Sequence, residues 1–362
     1  MQNPGGYSLR RISLDRATPG MVVGRTIHSI DGVLLLSEGV ALTAEQIGKL
    51  RQNGIRDLYI EDDRSGGLVA DETVRHEVLT QVKGHVRQIM SLPSLKAGID
   101  GQRVTELVER LLEQILASGD ILHHLADIRS IDEYTFSHSV NVSVYAMIVG
   151  IGMGIRNEAL RELGTGALLH DVGKLLVDEA ILQKPGGLSP DEFEQVKRHA
   201  AYGHELVRSI KGVSPAASDI ALGHHERMDG SGYPKGLSGN AIPLTARIVA
   251  VADVYDALTS DRIYREKEDP GKALDYIASK AGAHFDRAVT DVFIRHMAHY
   301  PVGTAVVLHS GEKGLVARQN LNHPHRPVVR VVIDREGHLL KQHHEVDLGV
   351  PGDNRIASIW EI

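Results

Sequence analysis

His170-Asp171-Val172-Gly173-Lys174 is the stretch whose reading decides the fold and the chemistry of this chain. It closes a helix-patterned run, Ala159 to His170, and so places two metal-binding side chains and a cation at a helix end. His138 stands upstream, and His199, the adjacent pair His224-His225 and Asp253 follow. Together these side chains make a ligand set for metal. The chain has no cysteine, so neutral imidazoles and carboxylates suit iron, manganese or another borderline-hard divalent ion rather than a structural zinc knot. A single histidine would read as a core or surface residue; an ordered set reads as a site.

The order H…HDxGK…H…HHExxDGxGYP…D has His224-His225-Glu226-Arg227-Met228-Asp229-Gly230-Ser231-Gly232-Tyr233-Pro234 as its loop. It resembles the HD-GYP family of metal-dependent cyclic di-GMP phosphodiesterases, a branch of the HD superfamily, from about Ile131 to Tyr300. The resemblance implies an all-helical HD-type domain that hydrolyses cyclic di-GMP to linear pGpG, with a second cut to GMP left open. It implies that His138, His170 and Asp253 hold one ion and His199, His224 and His225 the other. Asp171, central in the motif and with two carboxylate oxygens, is the expected bridge. Some relatives carry a third metal on a glutamate one turn before the residue equivalent to His138. Tyr134 stands there in this sequence, so two ions are expected.

The chemistry agrees with the motif. A phosphodiester repels its nucleophile, and two metals ~4 Å apart supply both a bridging hydroxide at neutral pH and neutralisation of developing charge. Two divalent ions against the carboxylates Asp171 and Asp253 leave a positive surplus facing an anionic substrate. Lys174 follows His170 by four residues and Asp171 by three, which returns it to their face on a continuing helical turn. It is the expected catalytic cation, against the alternative of an exposed helix-end lysine. Gly173 is expected to allow close substrate approach. By resemblance Arg262 and Arg265 contact the phosphates, against ordinary surface salt bridges, and Tyr233 sits beside the substrate. Asp256, a turn beyond Asp253, and Asp132 are counted with the substrate contacts, Asp256 orienting a ligand or a base.

Bulk properties bound the rest. The 362 residues suggest two or three units. Net charge -7, from 40 Lys and Arg against 47 Asp and Glu, argues against a nucleic-acid polymer as partner. The start has no signal-like apolar core, and runs such as Ile248 to Ala252 are too short to span a bilayer. A soluble, cytoplasmic protein without membrane insertion is therefore expected. Gly150-Ile151-Gly152-Met153-Gly154 fails the dinucleotide fingerprint at Ile155, and Gly173-Lys174 is no P-loop because Leu168 occupies the first glycine position. There is no nucleophile-elbow serine.

The expected class is mainly α, in four stretches. Residues 1–66 read as a small N-terminal α+β domain resembling the accessory domain before some HD-GYP domains. It carries a tight Asp31-Gly32 hairpin, a helix capped at Thr43 and ending near Asn53-Gly54, and a strand from Ile55 to Ile60. Residues 67–130 form a helical linker with two apolar stripes, Val74 to Ile89 and Val104 to Ile115, which either pack on their own domain or make a homodimer seam. Its His123-His124 pair reads as solvated. Residues 131–300 hold the catalytic domain, and 301–362 a short β-rich tail whose His323, His325, His343 and His344 read as solvated loop residues. Two other functions compete: a non-catalytic module binding cyclic di-GMP or a diguanylate cyclase partner, and an HD hydrolase of another nucleotide. The complete ligand set favours catalysis.

Overall fold

The computed structural model describes residues 9–28, 34–53, 55, 57–61, 74, 76–91, 94–95, 98–117, 134–260, 268–320, 323–352 and 354–360. Asp132, Arg262, Arg265, the His123-His124 pair and the Asp31-Gly32 turn lie outside the described residues. Two compact units share the chain. One gathers Met1–Thr73, Leu122–Asp132 and Met297–Ile362; the other gathers Val74–Ile121 and Glu133–His296.

The N-terminal part of the first unit pairs β1 (Leu9–Ser13) with β4 (Asp57–Glu61), and β2 (Ile27–His28) with β3 (Leu34–Leu36), both antiparallel. Between β3 and β4 runs α1 (Ala44–Gln52). Its start is the expected capping box: the Thr43 hydroxyl accepts from the Gln46 N–H, and the Gln46 side chain accepts from the Thr43 N–H. Ile12, Leu14, Val23, Ile27, Leu42, Leu50, Leu58 and Ile60 are buried together as its core.

The second unit is helical throughout: α2 (His76–Ile89), α3 (Gly101–Ala117), α4 (Tyr134–Gly152), α5 (Asn157–Leu169), α6 (Glu179–Leu182), α7 (Pro190–Lys197), α8 (His199–Ser209), α9 (Pro215–Gly223), α10 (Leu244–Thr259), α11 (Pro270–Ser279) and α12 (Arg287–His296). In α4, Val140, Val142, Val144, Met147, Ile148 and Val149 are all fully buried. A helix apolar on every side belongs inside, and α4 packs against α2, α3, α5, α10 and α12. The sequence reading sets 67–130 apart as a linker, whereas by contact α2 and α3 belong to this unit. Their stripes, including Val82, Val86, Val104, Val108 and Leu111, are buried within the chain, which removes these faces as a homodimer seam.

Within the last part of the chain, β5 (Ala305–Leu308), β6 (Lys313–Arg318), β7 (Val328–Ile333), β8 (Leu339–Asp347) and β9 (Ile356–Ile359) form one antiparallel sheet in the order β8-β7-β6-β5-β9. Val306, Leu308, Val316, Val329, Val331 and Leu348 fill its core. His343 and His344 stand on β8, not in a loop as expected; their polar neighbours hide the strand pattern. His323 and His325 are exposed loop residues.

One glycine corrects the sequence reading. Gly173 lies buried in the 3₁₀ turn Val172–Leu176, where a Cβ would collide with the His199 carbonyl oxygen and the Gly203 backbone nitrogen. It exists so that this turn can press against the backbone of α8, not to admit substrate. Gly173→Ala is expected to push α8 away, destabilising the unit by about 1–3 kcal/mol and weakening metal retention. Thermal unfolding with elemental analysis checks both effects.

Candidate metal centre

The last carbonyls of a helix have no partner within the helix, and three helix ends meet at this site. His170 caps α5, His224 caps α9, and His199 opens α8 directly after α7 ends. In each case the imidazole turns back on the end of the helix that precedes it. Nδ1 lies 2.7 Å from the Ala167 oxygen for His170, 2.6 Å from Val196 for His199 and 2.9 Å from Ala221 for His224. A carbonyl only accepts, so each Nδ1 carries the proton and each Nε2 keeps its lone pair. All three Nε2 atoms lie near Asp171, at 3.4 Å from Oδ2 for His170, and at 3.5 Å and 3.9 Å from Oδ1 for His199 and His224.

His138, on the first turns of α4, completes the opposite side. Its Nε2 is 3.1 Å from Asp253 Oδ1 and 3.7 Å from Asp171 Oδ2. His225 closes the other end, with Nδ1 4.0 Å from Asp253 Oδ2. Two sets of ligand atoms, each within 4.8 Å of one another, result: Asp171 with His199, His224 and His225, and Asp171 with His138 and His170. Asp171 is common to both. The structure thus brings together all seven expected ligands, Asp253 standing beside the second set through His138.

The residues fit a metal. His170 Nε2 and Asp171 Oδ1 are buried with no hydrogen-bond partner among the described residues, a cost of about 1–3 kcal/mol for each such group unless something meets it. The donor set of imidazole nitrogen and carboxylate oxygen matches a borderline-hard divalent cation. For His199, His224 and His225 protonation favours the same conclusion. Burial, then the neighbouring His225, hold the His224 pKa well below the ordinary range, and burial takes His225 down to about 3. Burial also lowers His199. For His138 burial acts downward too, but hydrogen bonds to Asp253 and Asp256 prevail and raise it to about 9. Burial opposes ionisation of Asp171, yet Lys174, His170 and His199 keep its carboxyl well below the usual range.

Lys174, 31% exposed, donates from Nζ to Asp171 Oδ2, so its ammonium sits at the face of the site. Tyr233 lies with its ring 4.7 Å from that of His225 at 32°. Burial, then Asp253 and Asp171, raise its hydroxyl pKa and keep it protonated. The loop presenting it is pinned by Glu226, which is 3% exposed: Oε1 accepts from the Lys235 N–H at 2.7 Å and Oε2 from the Leu237 N–H at 2.9 Å. Gly232 is required there, because a Cβ would strike the backbone of His225, Glu226 and Arg227.

Of the two roles the sequence reading gives Asp256, substrate contact and orienting a ligand or a base, its position agrees with the second. It is fully buried behind His138, with Oδ2 2.8 Å from His138 Nδ1. It also accepts from Asn141 Nδ2 at 2.8 Å and Ser260 Oγ at 3.0 Å. A carboxylate so enclosed holds a ligand in place and does not reach substrate. Asn141, Ser260 and the loop-pinning role of Glu226 escape the sequence reading. Asn141 is three residues after His138 on one helix face, but its meaning appears only when α10 is packed beside it.

Residues 111–289 match the HD domain family, and residues 305–359 match the KOW domain associated with HD domain. The cyclic di-GMP phosphodiesterase PA4108 of Pseudomonas aeruginosa is 36% identical over 287 residues, covering 79% of this chain and 69% of that protein. The cyclic di-GMP phosphodiesterase response regulator RpfG of Xanthomonas campestris pv. campestris is 40% identical over 203 residues, 54% of each chain. The 3'3'-cGAMP-specific phosphodiesterase 1 of Vibrio cholerae is 34% identical over 190 residues, 52% of this chain and 43% of that one. The chain thus spans about half the length of the latter two relatives. It belongs to the HD-GYP family of metal-dependent HD-domain phosphodiesterases.

Asp256→Asn is expected to leave helical content unchanged while lowering metal affinity about 10- to 100-fold, the usual effect of losing a partner behind a ligating histidine. Chelator competition measures it; unchanged affinity would return Asp256 to the substrate contacts.

Proposed function

We propose that the protein hydrolyses cyclic di-GMP to linear pGpG, with GMP as the product of a second cut, at a site holding two divalent ions, iron or manganese. The observation that carries this reading is the convergence of two ligand sets on the one carboxylate of Asp171, with the Lys174 ammonium beside it. PA4108 and RpfG, both named for cyclic di-GMP hydrolysis, support the substrate. The Vibrio relative makes 3'3'-cGAMP the rival.

In this reading His138, His170 and Asp253 hold one ion, His199, His224 and His225 the other, and Asp171 both. Bound ions supply an activated water and neutralise phosphate charge. The chain's own groups set the rest. The imidazoles of His199, His224 and His225, kept neutral by burial, add no negative charge, so the site retains its attraction for an anionic diester. Lys174 turns from Asp171 toward the charge that grows on phosphate, helping the transition state more than the ground state. Tyr233, protonated, donates to the substrate. Arg262, Arg265 and Asp132 serve as the outer contacts, the two arginines on the phosphates.

No helix among the described residues is long and apolar enough to cross a membrane, and this reading places the enzyme in the cytoplasm. A homodimer contact or a diguanylate cyclase partner belongs to surfaces other than the buried α2 and α3 stripes.

The test is turnover of cyclic di-GMP, 3'3'-cGAMP, pGpG and other nucleotides by metal-stripped protein after adding back iron or manganese. Cyclic di-GMP is expected to be cut fastest. Tight binding of it without cleavage under every metal would favour the non-catalytic module instead. Lys174→Ala is expected to retain its metal and lose about 10- to 1000-fold in kcat; a change confined to KM would make Lys174 a binding residue.

A further inference from the structure

Phe193 is 45% exposed on α7, a large aromatic that the core does not use. It is nevertheless held firmly. Ser189 and Glu192 form a capping box at the start of α7, and Lys184 Nζ pairs with Glu192 Oε2 at 2.7 Å. The other end of α7 leads directly into the metal ligand His199. Lys197, one turn beyond Phe193, projects from the same face.

These side chains border the metal centre. The Phe193 ring lies 6.4 Å from that of Tyr233 at 80°, and Tyr233 lies 4.7 Å from His225. Lys197 Nζ is 4.8 Å from the centre of the Phe193 ring and 5.5 Å from that of Tyr233. One face of Tyr233 is already taken by His225, which leaves Phe193 as the aromatic surface open to a ligand. Among the described residues Lys197 is otherwise tied only to Glu194, at 2.6 Å, and Glu194 is 65% exposed. Such surface pairs contribute little, so the ammonium is available to an anionic ligand.

We infer that Phe193, with Lys197 over one face of its ring, is a nucleobase subsite: a purine base of the cyclic dinucleotide stacks on the other face of Phe193 while the phosphodiester reaches the metal centre past Tyr233. The inference rests on the function proposed above and adds to it the place where a base is held. Every base presents a π-face, so a stacking platform selects nucleotides over other phosphodiesters without choosing among bases. Lys197 adds a cation to the path of the anionic backbone.

The experiment compares steady-state kinetics on cyclic di-GMP for the wild-type chain, Phe193→Ala and Phe193→Tyr, with metal content measured for each. Losing a base–aromatic stack is expected to raise KM for Phe193→Ala about 5- to 150-fold, with kcat and metal content near wild type and Phe193→Tyr restoring KM. If the wild type is active and Phe193→Ala has an unchanged KM, or loses kcat and metal together, the subsite is overturned while the proposed function stands. If the wild type cuts no cyclic dinucleotide, the functional reading fails and the subsite falls with it.

Discussion

A carbonyl near the end of a helix is a ready acceptor, and at three helix ends in this protein the imidazole of a histidine donates to one. His170, His199 and His224 each give their Nδ1–H to the turn before them. That single kind of hydrogen bond fixes the tautomer, aims Nε2 at Asp171 and satisfies the helix end. The packing of α5, α7, α8 and α9 is therefore what builds the site, and α4 and α10 add His138 and Asp253 from the other side. Gly173 belongs to the same constraint, because the turn carrying Asp171 must touch the backbone of α8 for His199 to come within reach.

The electrostatics follow from this arrangement. A helix C-terminus carries a partial negative charge, so ends brought together favour a cation between them. Burial keeps His199, His224 and His225 neutral, and Asp171 stays ionised beside Lys174. Asp256 holds the Nδ1 side of His138 at 2.8 Å. Orientation is thus supplied from behind the ligands, by backbone carbonyls on one side and a buried carboxylate on the other.

The seven expected ligands stood out in the sequence because they follow the fixed order of a family motif, and the structure brings them together. The capping box at Thr43 was legible because local pattern and tertiary need agree there. The sequence did not choose between substrate contact and ligand orientation for Asp256, because its neighbours in space, His138 and Asn141, lie on a different helix and no spacing rule connects them. Gly173 was credited to substrate approach when the backbone of α8 is what it meets. The strand β8 went unseen because Lys341 to Glu345 read as polar loop. Phe193 has no motif and becomes visible only beside Tyr233.

Sharing of Asp171 between two ligand sets is the central claim, and metal stoichiometry tests it most directly. Elemental analysis of purified Asp171→Ala against His170→Ala and the wild type gives the comparison. The account predicts two ions per chain in the wild type, loss of one in His170→Ala and loss of both in Asp171→Ala. Full occupancy in Asp171→Ala, or loss of a single ion there, would contradict it.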